Sequence, residues 1–145
     1  MNRWSCTECG FELYYPVETG GLAVSHLGLY ADAKFRGRAL LAYGDHAEQL
    51  EQLTGGELSA FWADAVAVGE VLKAIVGASR VNYAVLGNAE RHLHIHIIPR
   101  VPAAEPLPSR SPWNDSRPSL ELDHAEYLRI GQGVQKALAK RRSDA

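Results

Sequence analysis

The chain has 145 residues, of which 46% are hydrophobic and 22% are charged, as expected for a soluble globular protein of about one domain. Its formal net charge of -2 excludes a global cationic field and argues against a nucleic-acid partner. Met1 to Gly10 lacks the apolar core of a signal peptide, and no run of about 18 apolar residues indicates a membrane span. We therefore expect a cytoplasmic protein without a membrane partner.

Short strands are predicted first along the chain. Apolar runs between turn residues predict strands at Leu22–Val24, Leu27–Tyr30 and Arg38–Tyr43. A short helix is then predicted from Asp45 to about Leu53, because a glutamate three residues after an aspartate is typical of a capping box.

A longer helix follows the second capping-box pattern, formed by Thr54 and Glu57. Apolar residues at helical spacing run on to Gly77, which is a typical residue just past a helix end. Two further strands are predicted at Val81–Leu86 and Leu93–Ile98, the second ended by Pro99.

The last part of the chain is predicted to be a loop and a helix. Residues 101–119 hold five of the seven prolines, which indicates an extended loop. Asp123 and Glu126 predict a final helix that reaches about residue 141. Helices and strands do not alternate regularly, which favours an α+β fold with an antiparallel sheet of about five strands and packed helices. We expect one domain over residues 1–145, with a core at about residues 6–100.

Three histidines alternate with apolar residues at His92, His94 and His96. On a strand these histidines share one face, while the residues between them share the other and enter a core. Three uses fit such a row. Neutral imidazole ligates zinc, a histidine nitrogen attacks phosphorus while its neighbours stabilise the developing charge, or a solvated face is simply rich in histidine.

This run resembles the His-φ-His-φ-His-φ-φ motif (φ, apolar) of the histidine-triad (HIT) family of nucleotide hydrolases and transferases. The segment from Asn82 to Asn88 is similar to the family's phosphate- and ribose-contacting segment. The segment from Asp32 to His46 is similar to its ribose-binding strand pair and the helix after it. The resemblance covers about residues 6–100 and implies a HIT-like fold, a nucleotide substrate and a homodimer.

By this resemblance His94 is the nucleophile, and His96 holds phosphate oxygens. The implied substrate-binding residues are Asp32, Arg38, Asn82, Gly87 and Asn88. Asp32 would accept hydrogen bonds from ribose, and the two asparagines would position phosphate or ribose. Turn chemistry is the alternative for the aspartate and the asparagines.

Two residues depart from the family pattern. Arg38 stands where a histidine is usual, and Asn88 stands where a glutamine is usual. Arginine does not relay a proton near neutral pH, so we expect Arg38 to stabilise charge and to favour substrates with additional phosphates. The alternative is that Arg38 turns outward and pairs with a surface carboxylate.

Cys6 and Cys9 have the spacing of half a tetrahedral zinc site, although such a pair is also found buried or redox-active. Some HIT proteins, and the similar galactose-1-phosphate uridylyltransferases, complete a structural zinc site with two histidines. The resemblance places those ligands at His46 and His92. We therefore expect structural Zn²⁺ held by two cysteines and two histidines.

The sequence thus predicts a hydrolase that attacks the α-phosphate of a dinucleoside polyphosphate or a related nucleotide conjugate through a nucleotidyl-His94 intermediate. A nucleotidyltransferase or phosphorylase with the same intermediate, a nucleotide-binding regulatory protein and a metal-binding module are the alternatives. Trp113, in the proline-rich loop, fits a cover over a nucleotide base, an interface residue or a locally packed aromatic.

Overall fold

A five-stranded antiparallel sheet and two long helices organise residues 3–144, the part of the chain that the computed structural model describes. The strands are β1 (Trp4–Ser5), β2 (Glu12–Leu13), β3 (Tyr15–Val17), β4 (Ser25–Leu29), β5 (Ala39–Tyr43), β6 (Arg80–Ala84) and β7 (His94–Arg100). The helices are α1 (Gly55–Val76) and α2 (His124–Asp144). β1 and β2 pair as a separate hairpin, and the sheet has the order β3-β4-β5-β7-β6. The predicted α+β class with an antiparallel sheet is confirmed.

The two faces of the sheet are covered by different elements. One face packs on α1 and α2 through a hydrophobic core that includes Leu41, Ile95 and Phe61, each fully buried. The other face carries the N-terminal hairpin, whose Phe11 and Leu13 form a smaller cluster with Cys6 and Ala42. The histidine face of β7 therefore lies beneath the N-terminal hairpin and away from the helices.

Helix α1 begins and ends where the sequence predicts. The Thr54 side chain accepts from the Glu57 amide while the Glu57 side chain accepts from the Thr54 amide, which satisfies two amides at the helix start. Gly77 ends the helix in the left-handed region, with φ of 70°, where a side chain would be strained.

Helix α2 and the segment before it also follow the prediction. Asp123 Oδ2 accepts from the Glu126 amide, and the helix continues to Asp144, three residues beyond the predicted end near residue 141. Residues 101–119 form an irregular segment with two short 3-10 turns, at Pro102–Ala104 and Pro112–Asn114. Among the described residues, no helix combines the length and apolar character needed to cross a membrane.

Two predicted elements are wrong. Residues Leu22–Val24 form a bend, because the amides of Ala23 and Val24 donate to the buried carboxylate of Asp64 on α1 instead of to a strand. The helix predicted from Asp45 is reduced to a 3-10 turn at Leu50–Gln52, which begins after Gln49. His46 consequently lies in an irregular segment and is not at the N-terminus of a helix.

The strand that carries the histidines also differs in its bounds. β7 continues through Pro99, which pairs with Val81, and ends at Arg100. The pairing with β5 stops at Ile97, so β7 then has one neighbouring strand and tolerates a residue without an amide hydrogen. The strands β1 to β3 have only two or three residues each and were not predicted.

Candidate active site and metal centre

The three histidines lie in β7 and just before it. The register of β5 against β7 puts His94 and His96 on one face of the sheet, and Ile95 and Ile97 on the core face. His92 precedes the strand. The predicted alternation is correct, but the histidine face is covered. His92, His94 and His96 are only 1%, 6% and 9% exposed.

Two segments distant in sequence supply this cover. Phe11, in the N-terminal hairpin, stacks on His92 and on His94 with ring centroids 5.1 Å apart in both pairs. Trp113, in the proline-rich segment, packs edge-on against His96 at 5.4 Å. The row of imidazoles is therefore enclosed from both ends by aromatic rings.

A backbone hydrogen bond fixes the orientation of His94. Its Nδ1 lies 2.6 Å from the carbonyl oxygen of His92, and a carbonyl only accepts, so Nδ1 carries the hydrogen. In the neutral ring Nε2 then holds the free lone pair. A pocket of about 470 Å³ lies beside His94, with Gly87 and Asn88 among its lining residues.

Arg38 gives His96 the opposite tautomer. Arg38 Nη2 lies 3.2 Å from His96 Nδ1, and a guanidinium only donates, so Nδ1 accepts and Nε2 carries the hydrogen. Burial, the charge of Arg38 and the neighbouring His94 lower the pKa of His96 to about 4. His96 is therefore a neutral hydrogen bond donor near pH 7.

Arg38 is itself enclosed at the site. It is 8% exposed, and its guanidinium carbon lies 3.9 Å from the ring centroid of Tyr30 and 5.3 Å from that of Trp113. Burial lowers the pKa of the guanidinium, but arginine still keeps its charge at neutral pH. The alternative of an outward-facing Arg38 paired with a surface carboxylate is wrong.

Four side chains gather at the other end of the histidine row. The ligand atoms of Cys6, Cys9, His46 and His92 all lie within 4.8 Å of one another. Cys6 Sγ lies 3.7 Å from His46 Nδ1, and Cys9 Sγ lies 3.4 Å from His92 Nδ1. A set of two thiols and two imidazoles matches the donor set of a closed structural zinc site.

Local contacts prepare this cluster for a metal ion. His92 Nε2 donates to the Tyr43 carbonyl at 2.8 Å, which leaves the Nδ1 lone pair directed at the cysteines. The pKa of the Cys6 thiol is low overall. Burial raises the pKa, but the amides of Cys9 and Glu8, together with the His46 and Cys9 side chains, lower it more. A readily formed thiolate and a preset imidazole tautomer both fit a metal ligand set.

The match to known proteins covers the histidine row and Arg38, while Cys6, Cys9 and Trp113 lie outside the matched residues. The family model of the HIT domain matches residues 25–103, more than half of the chain. The chain belongs to the histidine-triad family. Membership of this family supports a nucleotide-binding protein. No curated protein sequence matches the chain.

Solved structures agree with the fold. A histidine triad protein from Bradyrhizobium japonicum is 24% identical, with a TM-score of 0.74 over 85% of this chain and 90% of that one. A hypothetical histidine triad nucleotide-binding protein from Sulfolobus tokodaii is 19% identical, with a TM-score of 0.68 over 87% and 84%. A Zn-bound histidine triad family protein from Mycobacterium smegmatis is 17% identical, with a TM-score of 0.61 over 90% and 87%.

In this HIT chain Asp32 has several protein partners. Its Oδ1 accepts from the amides of Lys34 and Leu120, at 3.2 and 3.1 Å, and its Oδ2 accepts from the Ser119 hydroxyl at 3.2 Å. Burial raises its pKa, but the two amides and the Lys34 charge lower it more, so the carboxylate is ionised at neutral pH. Asp32 also lines a pocket of about 680 Å³ that reaches His92. It therefore fixes a turn and keeps acceptor capacity on Oδ2.

The other expected substrate residues divide into two groups. Gly87, with φ of 68°, and Asn88 line the pocket beside His94. Asn82 instead lies level with Ile98 on the neighbouring strand, and its Oδ1 accepts from Arg100 at 2.7 Å. The structure thus brings Gly87 and Asn88 to His94, while the amide oxygen of Asn82 is engaged by Arg100.

Sequence reasoning missed Phe11 and Tyr30 as parts of the site. Phe11 carries no motif, and the only signal is its position directly after the Cys6–Cys9 turn and Gly10. That turn closes with the Cys6 amide donating to the Phe11 carbonyl at 2.8 Å, which sets the position of the ring. Tyr30 follows β4, and no local pattern predicts that it lies over Arg38.

Proposed function

We propose that this HIT protein is a nucleotide hydrolase in which His94 attacks the α-phosphate of a dinucleoside polyphosphate or a related nucleotide conjugate. The supporting observation is the 2.6 Å hydrogen bond from His94 Nδ1 to the His92 carbonyl, which makes Nε2 the nitrogen with the lone pair in the neutral ring. An unprotonated ring nitrogen on a fixed side chain is the form of histidine that acts as a nucleophile.

The proposed reaction has two displacements. The Nε2 lone pair forms a bond to phosphorus, the bond to the leaving group breaks, and its electrons depart with that group. Water then attacks the nucleotidyl-His94 intermediate and releases the nucleoside monophosphate and a proton. The Nε2 hydrogen of His96 and the backbone at Gly87 and Asn88 would stabilise the charge on the phosphate oxygens.

The nucleoside is proposed to occupy the pocket of about 680 Å³ between the N-terminal hairpin and β4. Aromatic side chains of Phe11 and Tyr30 line it and would pack against a base or ribose. Asp32 would accept a ribose hydroxyl on Oδ2, since its Oδ1 already has two donors. Asn82, whose oxygen is engaged, has only its amide hydrogens to offer.

Structural zinc is proposed for Cys6, Cys9, His46 and His92, whose chemistry and spacing fit that ion. An ion with four protein ligands would pin the N-terminal hairpin to the segment before β7 without activating water. The zinc site would also support the position of His94, because the backbone carbonyl of His92 orients the His94 ring.

A cytoplasmic homodimer without nucleic-acid or membrane partners completes the proposal. Strand β6 lies at one edge of the sheet, so its outer amide and carbonyl groups are available to a second copy. Analytical ultracentrifugation measures this state directly, and a monomer at micromolar concentration contradicts it.

A product analysis in ¹⁸O-labelled water tests the proposed activity. The wild type, His94→Ala and His124→Ala are incubated with diadenosine tetraphosphate, with and without inorganic phosphate. We expect ¹⁸O in the adenosine monophosphate made by the wild type and by His124→Ala, whose substituted histidine is exposed on α2, and no turnover by His94→Ala. Adenosine diphosphate formed from added phosphate would instead identify a transferase or phosphorylase. Binding without turnover would identify a regulatory protein.

A further inference from the structure

Arg38 is a buried cation whose pairing is incomplete. Among residues 3–144, no carboxylate lies within 4.0 Å of its guanidinium nitrogens, and its buried Nε has no hydrogen bond partner. The Nη2 bond to His96 Nδ1 joins it to the histidine row. Burial lowers the pKa of Arg38, while the charge of Asp32 raises it from beyond that distance. A buried charge without a direct ion pair is costly, so the guanidinium keeps the capacity to pair with an anion.

The aromatic rings around Arg38 limit the positions from which an anion can approach the guanidinium. Tyr30 and Trp113 contact the guanidinium, and Tyr30, Trp113 and His94 contact His96. The His94 and His96 ring centroids are 5.2 Å apart, and Arg38 is hydrogen-bonded to His96, so His96 joins His94 to Arg38 in one chain of contacts. A phosphorus atom bonded to His94 would thus lie near His96, and the positive charge of Arg38 would lie next to His96.

This arrangement lacks a general acid. His96 Nδ1 accepts a hydrogen bond from Arg38 and therefore has no hydrogen to donate. The ring is neutral because a second proton, on Nδ1, would face the guanidinium. Arg38 does not release a proton. Burial and the Arg38 charge hold the pKa of His96 at about 4, in agreement with this geometry. No carboxylic acid is among the described residues that contact the pair through these rings and hydrogen bonds.

We infer that Arg38 is a specificity-determining residue that restricts the site to substrates whose leaving group departs as a phosphate or polyphosphate anion. This inference rests on the proposed function and names its leaving group. It assigns to Arg38 two tasks, which are to hold His96 as an Nε2–H donor and to stabilise the departing anion.

The chemistry of departure explains the restriction. When His94 Nε2 bonds to phosphorus and the bridging P–O bond breaks, the electron pair stays on an oxygen of the leaving polyphosphate, which is stable without a proton. When a P–N bond breaks, the leaving nitrogen must gain a proton as it departs. Arg38 provides a fixed cation for the first reaction, and neither Arg38 nor His96 provides a proton for the second.

The test compares two substrates in four proteins. The probes are diadenosine tetraphosphate and adenosine 5′-phosphoramidate, and kcat/KM is measured for the wild type, Arg38→Gln, Arg38→Lys and Arg36→Gln. Arg36 is a matched control, because it is the same residue type two positions away and it pairs with Glu126 at the surface. Thermal unfolding of each protein shows whether the buried substitutions fold.

We expect the wild type to prefer the tetraphosphate, and Arg38→Gln to reduce that preference about tenfold or more, the size of a lost charge-assisted hydrogen bond. Arg38→Lys should keep most of the preference because it keeps the charge, and Arg36→Gln should leave it within about twofold, as is usual for a surface pair. ¹⁵N NMR of the wild type should also show His96 protonated on Nε2 alone.

The possible failures are distinct. Equal substrate ratios in the wild type and Arg38→Gln, with both substrates cleaved, overturn the role of Arg38 and leave the hydrolase proposal intact. A wild-type His96 ring protonated on Nδ1 overturns the positioning role of Arg38, even without turnover. Turnover of neither probe by the wild type overturns the proposed function and, with it, this specificity.

Discussion

The two ends of the histidine row are built for opposite uses. At one end His92 donates from Nε2 to the Tyr43 carbonyl and turns its Nδ1 lone pair toward Cys9. At the other end His94 donates from Nδ1 to the His92 carbonyl and keeps its Nε2 lone pair free, while His96 accepts from Arg38 on Nδ1. Three imidazoles within five residues thus present an Nδ1 lone pair, an Nε2 lone pair and an Nε2–H group.

The difference shows that one hydrogen bond per ring decides which nitrogen keeps its lone pair. In the proposed function, a carbonyl at Nε2 leaves Nδ1 for a metal ion, a carbonyl at Nδ1 leaves Nε2 for phosphorus, and a guanidinium at Nδ1 leaves Nε2–H as a hydrogen bond donor. The two ends are also joined, because the His92 carbonyl that orients His94 belongs to a residue of the Cys–His cluster.

The largest effect is expected at the reactive end. His94→Ala should reduce turnover at least about a thousandfold, as removal of a nucleophile does in other enzymes. The side chain is buried against Phe11, so some loss of stability is also expected. Steady-state kinetics with a thermal unfolding control measures both. A folded His94→Ala protein with turnover near that of the wild type contradicts the assigned role.

A stability effect is expected at the metal end. The double variant Cys6→Ser with Cys9→Ser, and separately His46→Ala, should lose bound zinc. A metal present at a thousand times its dissociation constant adds about 4 kcal/mol, so the melting temperature should fall by roughly 10 °C. Elemental analysis and calorimetry measure the two changes.

His124→Ala is the matched control for the metal end, because it removes an exposed histidine from α2 and should keep the zinc. Full metal content in the double cysteine variant, or no first-row metal in wild-type protein prepared without chelators, would show that the cluster does not hold zinc.

The smallest effect concerns the pH dependence of stability at His96. Its pKa is about 4 in the folded protein and about 6.5 in an unfolded chain, so the unfolded chain binds more protons between these values. The free energy of unfolding therefore falls as the pH falls from about 6.5 toward 4. Between pH 7 and pH 5 we expect a loss of about 1 kcal/mol through this residue.

Urea unfolding of the wild type and of His96→Gln at the two pH values isolates this contribution, because the other titrating groups are common to both proteins. The variant should lose less stability than the wild type on acidification. Equal losses in the two proteins would mean that His96 is not held neutral by its surroundings.

Local signals in the sequence predict much of this fold. The alternation around His94 predicts a strand and its two faces, and the Thr54–Glu57 box predicts the start of α1, because both depend on residues close in sequence. The bend at Leu22–Val24 depends on Asp64, about forty residues away, and no local pattern contains that contact.

The candidate site divides in the same way. The motif around His94 and the Cys6–Cys9 spacing can be read directly from the sequence. The environment of Arg38 cannot, because Tyr30, just after β4, and Trp113, in the proline-rich segment, reach it only after the sheet has formed. The helix predicted at Asp45 fails for a related reason, since the Ala47 carbonyl accepts from the Leu93 amide next to the histidine row.

The most direct test of the different roles proposed for His92, His94 and His96 is to locate the covalent intermediate. The wild type is mixed with diadenosine tetraphosphate, quenched at neutral pH in denaturant and digested, and the peptides that contain residues 92–96 are sequenced by electron-transfer mass spectrometry. We predict an adenylyl group on His94 and none on His92 or His96. An adenylyl group on His92 or His96 would contradict it.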